Sequence, residues 1–473
     1  MSSAVLLSSL MASVAAPVEA PVQTWSFHLD HVLGTSFDMA VEAPNRAQAE
    51  FAFAAATAEA ARLDRILSGW RDDSELSALN RAATARVSPD LFAVIDACEA
   101  WRARAGGAFS ARLGEVEAAW SAADATPDAA ALCAAAARAE AADVRLDRAT
   151  RTIVRDGVRF APDALAKGYV IDAALAAARR AAPCATAMMV DIGGDVACFG
   201  DRDWRVGVAD PAQTADNAPP AEVVRVAGRA LAVSGPGARD RLIDGQAHSH
   251  LLDPATGQPA VRRQAAVLAA DAATADALAT ALAVMPRDEA LALAEATPNV
   301  EAMIFEGDDR WPTSGWNACQ APAPLPPGFQ VEVTYSLPKI EAANYKKPYV
   351  IVWVTDAAKN PIKTLLIMGN RADWQEDNYV WWRRYGRKEP TQVEALAKPT
   401  RAPGRYTIGW DGTDNVGKRA PQGVYTINIE AAREHGGHAY QAIEVKLGAA
   451  PVAGQAAAKD ELGASSVRYG KGK

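Results

Sequence analysis

The sequence predicts two folded parts in series, an α+β domain followed by an all-β domain of Ig-like sandwich type, and three observations carry this reading. Residues from about 24 to 318 mix Ala- and Arg-rich helical runs with short apolar strands, without the regular strand-helix rhythm of a doubly wound sheet. The segment CQAPAPLPPGFQ, Cys319 to Gln330, is Pro-dense and reads as a semi-rigid linker. Beyond it residue usage changes: Lys167 is the only Lys before Lys339, twelve of the thirteen Lys lie from Lys339 onward, and seven of the twelve Trp fall at or after Trp311. The boundaries that follow are a leader over 1–22, a first domain over 23–318, a linker over 319–328, a β-sandwich over 329–450 and a flexible tail over 451–473.

Each element has its own signal. The runs 46–67, 88–104, 128–142 and 170–182 are long and Ala-rich, which predicts helices. The short apolar stretches 36–42, 188–192, 204–209, 230–233 and 265–270 predict strands. In the second part, KPYVIVWVTD and GVYTINIEA alternate apolar and polar residues between Gly, Pro, Asn and Asp, as half-buried sandwich strands do. The Trp and Tyr there are read as core aromatics in preference to a binding face.

Composition narrows the function. A length of 473 residues accommodates two to four domains, at roughly 100–200 residues each. The 50% hydrophobic and 22% charged content excludes a mostly disordered chain. The net charge of −8, without a basic block, argues against nucleic acid as a partner. Five scattered Cys exclude a disulfide framework and a metal knuckle. No apolar stretch approaches the roughly 18 residues of a membrane-spanning helix. The opening MSSAVLLSSLMASVAAPVEA is a short apolar run ending in small residues and Pro17. It reads as a secretory leader without the usual basic start, with Ala15, Ala16 and Ala20 as candidate cleavage points. The KDEL at 459–462 is internal and so cannot act as a terminal retention signal.

Four segments carry groups suited to chemistry. DGQAHSHLLDPATGQP, Asp244 to Pro259, holds His248 and His250, two of the six His, followed by the turn residues Asp253, Pro254 and Gly257. On an extended segment both imidazoles share a face, and a rigid turn beside a His suits a general base; a surface hairpin with two solvated His fits equally well. In AADAATADALATALAVM, Ala269 to Met285, Asp276 and Thr280 are neighbours on one helix face. They offer two hard oxygens to Mg²⁺. The pattern alone favours a plainer reading, a helix capped by Thr274 with Asp276 as a first-turn acid. In RFAPDALAKGYVIDAALAAARR, Arg159 to Arg180, the lone Lys167 before Gly168 stands where a compact point charge is wanted, or is an ordinary exposed Lys. In VDIGGDVACFG, Val190 to Gly200, the pair Gly193-Gly194 marks a tight turn where backbone can approach a ligand, or a plain hairpin; it lacks G-x-G-x-x-G spacing.

Taken in order, these segments resemble the ApbE-type FAD:protein FMN transferases. The resemblance runs over roughly 24–305: LGTSFDMAV (33–41), LDRILSGWRDDSELSALN (63–80), GGAFSARLGEV (106–116), ALAKGYVIDAAL (164–175), VDIGGDVACFG (190–200), WRVGVADP (204–211), AVSG (232–235), HSHLLDPATG (248–257) and ADALATAL (275–282). It implies an exported, Mg²⁺-dependent enzyme that moves FMN from FAD onto a Ser or Thr hydroxyl of an acceptor protein, releasing AMP. The acceptor implied is a membrane-associated electron-transfer subunit, and with the leader the expected location is periplasmic or exported, with the outer face of the inner membrane as one setting.

By similarity, Asp276, Thr280 and the carbonyl of Ala164 hold the metal, Lys167 lies beside FAD, and His250 is the base for the acceptor hydroxyl. The implied FAD contacts are Leu33, Trp70, Ala108, Phe109, Ser110, Ala161, Lys167, Gly193, Gly194 and His250. Four depart from the family pattern. Leu33 replaces a usual Met, Trp70 an aromatic that is often Tyr, Ser110 a common Asp, and Ala161 another Asp for which Asp163 is the nearby substitute. Two further readings of the same residues stay open: a Mg²⁺-dependent FAD pyrophosphatase, with water in place of the acceptor, and a non-catalytic FAD carrier. The second part resembles a β domain of unknown function that follows this transferase in some chains. The run Trp410 to Ile429 is similar to Ig-like domains of secreted proteins, and the domain is expected to hold or orient a membrane-bound acceptor.

Overall fold

The computed structural model describes residues 22–472 apart from 214–217, 238–239, 244, 261–262, 342–344, 370–371 and 389–396. The expected leader, except Val22, lies outside the described residues. The chain divides into two compact units, Met1–Ala321 and Pro322–Lys473.

The first unit is built on an eight-stranded sheet: β1 (Gln23–Val32), β2 (Thr35–Ala43), β3 (Ala187–Ile192), β4 (Asp195–Phe199), β5 (Ala230–Ser234), β6 (Gln264–Ala269), β7 (Glu301–Glu306) and β8 (Asp309–Pro312). These strands lie side by side in chain order, every pairing antiparallel. Three helices matter for the site: α1 (Arg46–Leu67), α2 (Asp163–Ala181) and α3 (Ala272–Val284). Asn45 caps α1 by accepting from Gln48 N at 3.0 Å. Small buried residues at helical spacing, Ala49, Ala52, Ala56 and Ala60, form its inner stripe. One buried cluster joins the three helices to one face of the sheet. A second, containing Trp204, Val224, Leu231 and Trp316, covers the other face. With both faces covered, every residue of β6 is buried, so its sequence is apolar from Ala265 to Ala269 instead of alternating.

The first four sequence-predicted strands coincide with β2, β3, Trp204–Val208 and β5, and the fifth with β6. The helix expected over 170–182 begins earlier, at Asp163. Gly168 reads as a helix breaker from propensity, yet here it is what lets α2 pack against α3.

The second unit is all-β. Its strands are β9 (Phe329–Leu337), β10 (Tyr349–Asp356), β11 (Pro361–Met368), β12 (Gly404–Trp410), β13 (Gly423–Ala432), β14 (His438–Leu447), β15 (Val452–Ala456) and β16 (Ser465–Lys471). One sheet has the order β12-β9-β16-β15; the other runs from the short strand Ala397–Lys398 through β11, β10 and β13 to β14. Val331, Val352, Ile427 and Val467, drawn from both sheets, share one buried cluster. Trp353, Trp381 and Trp410 are fully buried, as expected of core aromatics.

Two boundary expectations need correction. The described part of the expected tail, 451–472, is not flexible, because β16 is an interior strand paired with both β9 and β15. Ser465, Val467 and Tyr469 are buried at alternate positions, a period-two face that the Gly- and Ala-rich composition obscures. The semi-rigid linker expected over 319–328 is in part built into the folded units. Ala321 N donates to Val223 O at 2.7 Å within the first unit. Within the second, Leu325 is 1% exposed and its N donates to Ala420 O at 2.8 Å.

Candidate active site

Two helices are locked together where the sequence-predicted residues concentrate. At Gly168 the helices approach so closely that a Cβ would lie 2.2 Å from the Ala272 carbonyl oxygen. Further along α2, Asp172 accepts from Ala272 N and Ala273 N, each at 2.9 Å, so a side chain of one helix satisfies the open N–H groups of the other. Burial pushes the Asp172 carboxyl up to about 6 against the opposing pull of those two bonds. Asp271 caps α3 from within its own chain segment, accepting from Thr274 N at 2.8 Å. The expectation that Thr274 is the cap is therefore corrected: Thr274 supplies the N–H and Asp271 the oxygen. Gly168→Ala is expected to cost about 1–3 kcal/mol, because the added methyl meets backbone that cannot yield. Chemical denaturation checks this.

The same helix pair assembles hard oxygen donors. Asp276 is 3% exposed, and its Oδ2 accepts from Gly168 N at 3.0 Å. Ala164 lies one helical turn before Gly168 on α2. Thr280 lies one turn beyond Asp276 and its Oγ1 is 3.2 Å from Ser234 Oγ on β5. Among the described residues no group of three or more His, Cys, Asp or Glu side chains could hold a metal. A cation here would rest on one carboxylate, one hydroxyl and one carbonyl. Such a set suits Mg²⁺, which completes its shell with water or substrate phosphate, and does not suit a softer metal. The donor set thus fits the predicted ion.

Lys167, on α2 between these donors and the sheet, pairs with Asp195 at the start of β4: Nζ to Oδ2 is 2.5 Å, with the two side chains 15% and 2% exposed. Gly193 and Gly194 precede that Asp with φ of 62° and 91°, values that favour Gly. A Cβ at Gly193 would lie 2.8 Å from Thr35 Cγ2, and Gly193 N donates to Ser36 O at 3.2 Å. The Gly-Gly turn is therefore seated on the β1–β2 turn, which contains Leu33 at φ 51° and Gly34 at φ 76°. Asp191 closes the turn by accepting from Gly194 N at 2.8 Å, and burial raises its carboxyl above the ordinary value.

The His segment takes its own geometry. Arg241–Ile243 pairs with Gln246–His248 as a two-stranded hairpin, and the strand ends at His248. The two rings find different partners. His248 sits 5.3 Å from the Trp120 ring centroid, whereas His250 Nδ1 lies 3.1 Å from Asp240 Oδ1. Ser249 between them is buried while both His are half-buried. Arg241 fastens the hairpin by donating to Trp120 O and Ser121 O, both at 2.9 Å. The Asp253 turn is held by Gly257 N to Asp253 O at 2.7 Å and by Trp120 Nε1 to Gly257 O at 3.0 Å.

Of the other predicted contacts, Phe109 is buried at 1% exposure. Ser110 Oγ accepts from Arg112 N at 3.2 Å. Ala161 N donates to Ala111 O at 2.8 Å, which ties the segment containing Ala108 to the start of α2. Trp70 stands on the surface at 80% exposure. The structure thus joins Ala164, Lys167, Asp276 and Thr280 through α2, α3 and β5, and joins Leu33 to Gly193 and Gly194 through their turns. Sequence reading missed Asp172, Asp195, Ser234 and Asp240. Asp195 alone had a local signal, its place immediately after the Gly pair.

Near the start of α2, burial reinforced by Asp163, against Arg159, pushes the Glu117 carboxyl up to about 8 from an ordinary 4.5. A carboxyl raised by folding contributes stability that is complete below its unfolded pKa and is lost as pH rises through the folded value. Glu117→Gln mimics the protonated form. Its thermal midpoint is therefore expected to match the parent near about pH 4 and to exceed it near about pH 9. Unfolding scans at both pH values check the sign.

Comparison with known proteins identifies the family and fold of the first unit. A layered α+β domain with locked helices, a buried Lys–Asp pair and a hard-oxygen cluster defines the first unit. Its sequence matches the ApbE family over residues 33–304, so the chain belongs to that family. A protein of Treponema pallidum (strain Nichols) named FAD:protein FMN transferase is 31% identical over 274 residues, 52% of this chain and 75% of that protein. One of the same name from Klebsiella pneumoniae (strain 342) is 28% identical over 279 residues, 54% of this chain and 78% of that one. The crystal structure of the ApbE protein of Thermotoga maritima superposes with a TM-score of 0.57 at 25% identity, covering 63% of this chain and all of that one. Flavin transferase ApbE of Vibrio cholerae, 23% identical with a TM-score of 0.54, covers 63% of this chain and all of that one and shares the fold. Residues 330–464 match a family described as predicted periplasmic protein (DUF2271). Among the described residues no helix is long and apolar enough to cross a membrane.

Proposed function

We propose that the first unit transfers FMN from FAD to a Ser or Thr hydroxyl of an acceptor protein, releasing AMP, with Mg²⁺ bound by Asp276, Thr280 and the Ala164 carbonyl. The observation that carries this reading is the Asp276 carboxylate accepting from Gly168 N, one helical turn after Ala164, with Lys167 and Thr280 on the same helix pair. Bound there, Mg²⁺ supplies charge neutralisation for the pyrophosphate oxygens.

The chain's own groups do the rest. Lys167 presents a cation to the phosphates. The Gly193-Gly194 and Leu33 turns offer backbone that can approach the flavin closely, and Trp70 offers an aromatic face to stack on it. His250, whose Nδ1 lies against Asp240, acts as base toward the acceptor hydroxyl through Nε2. The hydroxyl oxygen forms a bond to the FMN phosphorus, the bond from that phosphorus to the AMP oxygen breaks, and the hydroxyl proton passes to Nε2. Curated relatives carry the transferase name, the match of the second unit supports a periplasmic setting, and a membrane-associated electron-transfer subunit fits as acceptor.

The test is the intact mass of an acceptor domain after incubation with enzyme, FAD and Mg²⁺, beside the same domain with its Ser or Thr hydroxyl removed. Gain of FMN by the first domain alone supports transfer. Free FMN and AMP with both domains unmodified would replace transfer by pyrophosphatase action, and intact FAD in every sample would leave a carrier.

A further inference from the structure

We infer that Asp195 is a positioning residue for this reaction, its buried carboxylate holding the Lys167 ammonium in place at the phosphate side of the site. The substrate in this statement rests on the transferase reading; the pairing itself is a property of the fold.

Asp195 is 1% exposed. Its Oδ1 accepts from Val233 N at 3.0 Å, which fixes the carboxylate on the sheet and turns Oδ2 toward Lys167 Nζ at 2.5 Å. A carboxylate this deeply buried is sustained only by a partner charge and hydrogen bonds, and both are present. The lysine gains equally. Its four-carbon stem carries considerable rotamer freedom, and an ammonium pinned at one end of α2 is presented without the cost of ordering it on substrate binding. Asp191 is a second carboxylate whose charge Lys167 feels, but its Oδ1 is committed to the Gly194 N–H. The residue after Val233 is Ser234, whose hydroxyl meets Thr280. One strand, β5, thereby sets both the anchor of the lysine and a neighbour of the metal-donor hydroxyl.

Lys167 is the only Lys among the first 338 residues, so its reactivity can be followed cleanly by amine acylation and peptide mass spectrometry on the full chain. Lys339 serves as internal reference. Asp195→Asn keeps the acceptor for Val233 N and removes the charge. It is expected to raise the acylation rate of Lys167 on the order of tenfold, the scale of losing one charge-assisted bond. It is also expected to lower kcat roughly 10- to 100-fold, as misplacement of a catalytic group does. Lys167→Met should lose at least as much kcat, and the double variant should lose no more than Lys167→Met alone. A purely structural Asp195 would leave Lys167 acylation unchanged, and its kcat loss would add in full to that of Lys167→Met; either result overturns the inference. Should Asp195→Asn fail to fold, Asp195→Glu undergoes the same assays: retained protection of Lys167 with a lowered kcat supports positioning, and unchanged kcat overturns it. If the parent transfers no FMN at all, the functional reading falls while the acylation result still decides the pairing.

Discussion

Asp276→Asn is expected to lower FMN transfer by on the order of 10³-fold or more while the protein stays folded. Asn keeps the volume of the side chain and an oxygen for Gly168 N, so the lock between α2 and α3 survives. What disappears is the single buried carboxylate in the proposed donor set. Metal polarisation of a phosphoryl group contributes several kcal/mol to such reactions, and about 4 kcal/mol corresponds to that thousandfold change. Two measurements separate the cause. AMP release at saturating FAD should fall to background, and the rise in thermal midpoint that Mg²⁺ confers on the parent by mass action should vanish. Full turnover by the variant would remove the metal role assigned to α3.

His250→Ala should produce a loss of similar size by a different route. A positioned general base is worth roughly 10²–10⁴-fold, and His250 is positioned by Asp240 through both Nδ1 and the backbone N–H, at 3.1 and 3.3 Å. The variant should keep the parent's Mg²⁺-dependent stabilisation, because none of its atoms belongs to the donor set. Kinetics of acceptor flavinylation and thermal scans with and without Mg²⁺ check the two halves of this expectation. A variant that flavinylates at the parent rate would deny His250 the role of base.

Much of the first unit was legible in the sequence because its signals are local. Helix α1 follows from its Ala spacing, and β2, β3, β5 and β6 from short apolar runs. The pairing of Asp276 with Thr280 follows from helical period alone. Other features depend on partners distant in the chain. Strand β1 is a mostly exposed edge strand, and the alternation of Trp25, Phe27 and Leu29 with polar residues did not by itself set it apart from a surface loop. The true start of α2 was hidden by Gly168, whose unfavourable propensity is overridden by the close contact with Ala272. Strand β16 looked like a tail until its neighbours on both sides were known.

The site divides along the same line. The residues proposed to carry chemistry, Lys167, His250 and Asp276, could be singled out by type and spacing, though each also had a plainer reading. Those that hold them, Asp195, Asp240, Asp172 and Ser234, are ordinary carboxylates and a hydroxyl in sequence. Their roles arise only when β4, β5, α2 and α3 are stacked.

The most direct test of the account is a titration of the enzyme with Mg²⁺ in the presence of FAD and an acceptor domain, following AMP and acceptor-bound flavin together by chromatography. The account predicts that both products rise in equal amounts with Mg²⁺ and that both are lost on chelation. Flavin attached to the acceptor at the same rate in chelator, or AMP formed with no flavin on an acceptor that a related transferase modifies, would contradict it.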